Sequence, residues 1–199
     1  FEEDEDGCKR ERQYVPLFKD TYLNSARAEM GIKSLPGARL LAFHSYKGGV
    51  GRTLSLISML RECTAQYPEK KILFIDADLE APGLTWMLEN RGYGDVSYLD
   101  ILSVMNFNED TEEAIERLAE LIKTSTVAVT TDKVKQEHFF IPVYRERMQV
   151  MSIFSNPERI LKTKDNKFYI TETLSELGAR LGAEIVLVDL RAGITEYSA

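Results

Sequence analysis

The stretch "SYKGGVGRTLS", residues 45–55, places two cations and a hydroxyl around three glycines. The backbone N–H groups of Gly48, Gly49, Val50, Gly51, Arg52 and Thr53 can converge on a phosphate there, because glycine permits close approach and unusual dihedrals. An apolar run, "RLLAFHS", precedes the loop and a helical pattern follows it, so a helix amino end adds a favourable dipole for an anion. The Thr53 hydroxyl then stands where it can ligate Mg²⁺ bridging terminal phosphates. Two further runs turn acidic at their carboxyl ends: "KILFIDADLEAPGLT" with Asp76 and Asp78, and "AEIVLVDLRAG" with Asp189. Open parallel sheets put ligands at such ends, and on an extended strand end Asp76 and Asp78 point the same way, toward the loop. A plain glycine turn would not need these acidic ends, which is why the site reading is preferred.

The elements that must position these residues can be read from periodicity. "RLLAFHS" reads as a strand buried on both faces. The next segment puts Leu56, Met59, Leu60 and Cys63 on one helical face, and "EDTEEAIERLAELIK" does so with Ile115, Leu118 and Ile122, with Asp110 and Glu113 as a capping box. "MQVMSIF" reads as a strand, "FYITETLSELGARLG" as a helix, and residues 125–140 as a loop or excursion. Strands alternating with helices predict an α/β fold, a mostly parallel sheet with helices on both faces. An acidic leader and a helix carrying Phe18, Tyr22, Leu23, Ala26 and Met30 make up residues 1–37, readable as a linker from a preceding domain; residues 38–199 form the main domain.

Composition narrows the class. The 199 residues are 44% hydrophobic and 29% charged, a globular balance. Five carboxylates, Glu2 to Asp6, account for most of the net charge of −7, so no acidic-surface function follows. No apolar run could span a bilayer and no signal-peptide pattern opens the chain, so a cytoplasmic protein without a membrane segment is expected. Cys8 and Cys63 lack metal-ligand spacing and are expected to be reduced thiols. His44 and His138 belong to no motif and are read as structural; Trp86, with Leu84 and Leu88, is read as packing or dimer surface. Phe1 is not an initiator methionine, which suggests a piece of a longer chain.

"KGGVGRT" resembles the deviant Walker A motif, KGGxGK[ST], of the ParA and MinD superfamily of P-loop ATPases, the SIMIBI class. Tyr46 stands where an ordinary Walker A opens with glycine, and Arg52 replaces the usual lysine. The nearest pattern is a KGGVGR subgroup found in multidomain bacterial proteins, beside effector domains in signalling and conflict systems. The resemblance spans roughly residues 38–199 and implies a P-loop NTPase fold, three-layer α/β/α with a doubly wound sheet, truncated at its C-terminus. It further implies an ATPase that binds ATP and Mg²⁺. Lys47 would reach across a nucleotide-sandwich homodimer to the partner's phosphates. "LFIDADLEAPGLT" resembles Walker A′, in which Asp76 holds the Mg²⁺ shell and Asp78 positions or deprotonates the attacking water. "EIVLVDLRAG" resembles Walker B, with Asp189 holding a Mg²⁺-bound water and Gly193 at the phosphate-sensing DxxxG position. For Arg191 a local salt bridge is favoured over contact with phosphate or a partner. Adenine as the base comes from the resemblance alone.

The leading expectation is an ATP-hydrolysing molecular switch that dimerises around nucleotide and recruits a partner protein. Arg52 keeps open a scaffold that binds ATP but barely hydrolyses it, since a guanidinium is not interchangeable with an ammonium. A bacterial tyrosine kinase shares the motifs, although only Tyr197 lies near the end of the chain. A DNA-partitioning ATPase is a weaker alternative, because the chain carries no basic stripe.

Overall fold

The computed structural model describes residues 35–89, 94–107, 111–146 and 168–193. The elements run β1 (Arg39–Ser45), α1 (Arg52–Gln66), β2 (Lys71–Ala77), α2 (Gly83–Leu88), α3 (Tyr98–Phe107), α4 (Thr111–Ile122), β3 (Thr126–Thr130), β4 (Lys135–Ile141), α5 (Tyr169–Arg180) and β5 (Ala183–Ala192). They form an α/β fold around one five-stranded sheet in the order β1-β5-β2-β4-β3. The pairs β1/β5, β5/β2 and β2/β4 are parallel, and among the described strands only the β3/β4 pair is antiparallel. The expected N-terminal helix, the "MQVMSIF" strand, Asp110 and Cys8 lie outside the described residues.

Alternation along β2 explains the layers. Ile72 and Phe74 pack with Leu56, Leu60 and Leu84 on one face, whereas Leu73, Ile75 and Ala77 pack with α3, α4 and α5 on the other. β5 divides in the same way, Leu187 toward α1 and Val186, Val188 and Leu190 toward the opposite layer. A continuous apolar run is therefore required of both strands, since neither face meets water. The same parity puts Asp76, two residues beyond Phe74, and Asp189, two beyond Leu187, on the α1 side. The two are register partners across the β2/β5 pair.

Three expectations need correction. β1 is not buried on both faces: it is the edge strand, paired with β5 alone among the described strands, and Arg39, Leu41 and Ala42 are exposed. Its apolar sequence looked like that of an interior strand, and periodicity does not record which neighbours a strand has. The α1 face is Leu56, Leu60 and Thr64, while Met59 is exposed and Cys63 only half-buried. Residues 125–140 are not an excursion but a β hairpin that completes the sheet. Thr131 closes its turn by accepting the Val134 N–H at its hydroxyl (3.1 Å) and donating its own N–H to the Val134 carbonyl (2.8 Å). The α4 face is as the spacing predicts: Ile115, Leu118 and Ile122 are buried.

Candidate phosphate and metal site

The carboxyl ends of β1, β5 and β2 converge on the amino end of α1. Gly49 and Gly51 have φ of 76° and 88°, left-handed values that glycine adopts without a steric penalty. Gly51 caps α1 with no side chain of its own, so among the described residues the first N–H groups of the helix have no side-chain acceptor. Residues 46–50, Lys47, Gly48, Gly49 and Val50 included, are exposed. Lys47 forms no ion pair among the described residues; its carbonyl accepts from the Ser45 hydroxyl (3.0 Å).

Arg52 and Thr53, the first two residues of α1, reach back to the acidic strand ends. Arg52 Nε donates to Asp189 Oδ1 (2.6 Å) and its Nη2 to Asp78 Oδ2 (2.5 Å). The Thr53 hydroxyl donates to Asp189 Oδ2 (2.6 Å). Asp78 Oδ1 accepts the N–H groups of Glu80 (3.3 Å) and Ala81 (3.0 Å), which shapes the turn after β2. Burial alone would lower the Arg52 pKa, but Asp189 and then Asp78, through hydrogen bonds and charge, raise it overall.

Asp76 is fully buried. Its Oδ2 accepts the Thr85 N–H (2.8 Å) at the start of α2, and its Oδ1 accepts the Asp78 N–H (3.2 Å). Burial pushes its pKa up to about 7, assisted by the charge of Asp189 and opposed by the hydrogen bonds from Thr85 and Asp78. The Thr85 hydroxyl also accepts the Val143 N–H (2.9 Å), tying α2 to the end of β4.

Gly193, at φ 101°, is held to the start of the glycine loop. Its N–H donates to the Ser45 carbonyl (2.9 Å), and its carbonyl accepts from His44 Nε2 (2.6 Å). In this state its N–H is committed to Ser45. Arg191 pairs with Glu80 (3.0 Å), the local salt bridge favoured from sequence. It links the end of β5 to the Asp78 turn a second time, beside the Asp78–Arg52–Asp189 bridge.

The structure thus brings Arg52, Thr53, Asp78 and Asp189 into direct contact, puts Asp76 beside Asp189, and leaves Lys47 apart on the open loop. His44, Thr85 and Glu80 are site-building residues the sequence did not reveal. His44 meets Gly193 across 149 residues, a contact that no local pattern records. His138 stays structural: it is buried, with Nε2 2.8 Å from the Thr64 hydroxyl.

No family model matches the chain, and no curated protein matches it. Among solved structures it is similar to pNOB8 ParA bound to nonspecific DNA, at 22% identity over 81% of this chain and 49% of that one, with a TM-score of 0.41. It is also similar to a plasmid partition protein from Borrelia burgdorferi, at 19% identity over 78% and 56% of the two chains, with a TM-score of 0.40. The chain spans about half the length of these solved chains. Overlap at this level assigns no activity, and the functional reading rests on the residues themselves.

Proposed function

We propose that the chain is the nucleotide-binding part of a Mg²⁺-dependent, ATP-hydrolysing switch that dimerises around nucleotide and recruits a partner protein. One observation carries the reading: Arg52 and Thr53, at the amino end of α1 that no side chain caps, share Asp189 as a partner, at the mouth of an exposed glycine loop. N–H groups without side-chain acceptors, a helix dipole, two cations and a hydroxyl form a cradle for a polyphosphate. The donor set fits Mg²⁺, which is held by one or two protein oxygens and completes its shell with phosphates and water. Thr53 Oγ1 and Asp189 are the residues that would hold it, directly or through water. Asp76, expected in the same Mg²⁺ shell, would join them through water from the neighbouring strand, its carboxylate here accepting from the Thr85 and Asp78 N–H groups. When bound, the ion would neutralise charge on the phosphates.

Asp78 would position or deprotonate the attacking water, given a carboxylate within hydrogen-bond reach of it. Lys47, exposed and without an ion pair among the described residues, is free to meet phosphates across a second subunit, as a trans-acting cation does. Adenine as the base is carried only by the resemblance of "KGGVGRT" to the ParA and MinD motif.

A second reading, a scaffold that binds ATP and scarcely hydrolyses it, is favoured by the bond from Arg52 to Asp78. That bond engages the carboxylate the reaction needs. Light scattering with phosphate release on the full-length protein, in Mg²⁺ with ATP, GTP, ADP or no nucleotide, separates the two. A dimer that forms with ATP and decays as phosphate appears supports the switch. A dimer that persists without phosphate release supports the scaffold, and no nucleotide-dependent change in mass or phosphate refutes both.

A further inference from the structure

We propose that Arg52 is an internal counter-ion that keeps divalent cations off the Asp78–Asp189 pair until a polyphosphate draws it away, so that nucleotide loads before metal. The inference rests on the phosphate and metal reading above and adds an order to it.

All four oxygens of the two carboxylates are engaged by donors. Asp189 Oδ1 and Oδ2 take Arg52 Nε–H and the Thr53 hydroxyl, and Asp78 Oδ2 and Oδ1 take Arg52 Nη2–H and two backbone N–H groups. The side chains of Asp189 and Asp78 are 0% and 5% exposed, so a cation arriving from water must displace Arg52 to reach them. An ammonium in this place would be a compact point charge. The planar fork of arginine instead presents separate N–H groups to two carboxylates at once, which suits it to span them.

No group of three or more metal-ligating His, Cys, Asp or Glu side chains occurs among the described residues, so a cation alone finds too few protein ligands to displace the guanidinium. A polyphosphate changes both terms. It offers Arg52 alternative acceptors at the loop beside it, and it supplies oxygens that complete the metal's shell. Each ligand then favours the other, and the coupling must be reciprocal.

The test measures Mn²⁺ binding to the full chain by the electron paramagnetic resonance of free Mn²⁺, with and without a non-hydrolysable ATP analogue. Polarisation of a fluorescent ATP analogue in EDTA is followed in parallel. In the unsubstituted protein, nucleotide should bind in EDTA, and Mn²⁺ affinity should rise at least about tenfold once nucleotide is present. Without nucleotide, Arg52→Gln should bind Mn²⁺ at least about tenfold more tightly than the unsubstituted chain. Comparing the two proteins cancels weak binding by the acidic leader. Equal Mn²⁺ affinity in both proteins, or nucleotide that binds only after Mn²⁺, overturns the order and leaves the site reading intact. Failure of nucleotide to bind under any condition refutes the site reading itself. Should Arg52→Gln not fold, Arg52→Lys, whose point charge cannot span both carboxylates, takes its place in the same nucleotide-free comparison, and an Mn²⁺ affinity equal to that of the unsubstituted chain overturns the proposal.

Discussion

Arg52 neutralises two buried carboxylates, so its removal leaves like charges facing each other where water cannot screen them. Arg52→Met should destabilise the nucleotide-free chain by about 3–5 kcal/mol in urea unfolding, the range for breaking a buried ion pair from one side. Adding Asp78→Asn should recover part of the loss. His138 gives a pH dependence of determinate sign. Burial, with a contribution from Lys71, lowers its pKa from 6.5 to about 4, and its Nδ1 has no hydrogen-bond partner among the described residues. Between those values the unfolded chain holds the proton and the folded chain does not. Stability from this group is therefore complete above about pH 6.5 and is lost as the pH falls toward 4. Unfolding midpoints across that window should fall less steeply in His138→Gln than in the unsubstituted chain. At this scale the sequence was informative where chemistry is local: the loop glycines, Thr53 and the acidic strand ends are legible as motifs. It was silent on long-range partners, because nothing near residue 44 or 85 encodes a bond to Gly193 or Asp76.

Helix α5 packs on β5 and the start of β1 through a glycine. A Cβ on Gly178 would lie 2.5 Å from Val186 Cγ2 and 3.0 Å from the Ala38 Cβ. The layers are that close because Val186 is fully buried beneath the helix. Gly178→Ala should therefore destabilise the chain by about 1–3 kcal/mol despite its better helix propensity, as overpacking does. In urea unfolding, Val186→Ala combined with Gly178→Ala should cost less than the sum of the single changes, since each relieves the other's misfit. β2, β5, α4 and α5 could be read from sequence because their apolar periods answer to one or two buried faces. β1 was legible as a strand over the same residues but not as an edge, and the β3–β4 hairpin was not legible. β1 is apolar yet stands at an edge of the sheet. The hairpin carries Lys135 and Glu137 on exposed positions of an edge pair, and its polar residues masked the alternation.

For the whole molecule, the exposed apolar side chains near the loop are the feature to test. Tyr46 and Val50 lie on the glycine loop, Leu54 on the first turn of α1, and Trp86 and Met87 on α2, all exposed. Gly83, which opens α2, sits close enough to Thr53 that an added Cβ would lie 3.4 Å from its hydroxyl, so α2 borders the phosphate site. Its Thr85 N–H holds Asp76, and Trp86 Nε1–H donates to the Tyr144 hydroxyl (2.6 Å). Motion of the acidic turn must therefore be felt at the chain's single tryptophan. If nucleotide drives two copies together over the loops, Trp86 passes from water into an interface. Its emission should then shift to the blue with ATP and Mg²⁺, to an extent that grows with protein concentration, and ADP should have no such effect. Leu54→Asp together with Met87→Asp should abolish the concentration-dependent part and the ATP-induced rise in mass by light scattering, while fluorescent nucleotide still binds. A shift independent of protein concentration would instead locate the change within one chain, where the release of Arg52 from Asp78 is enough to move the turn.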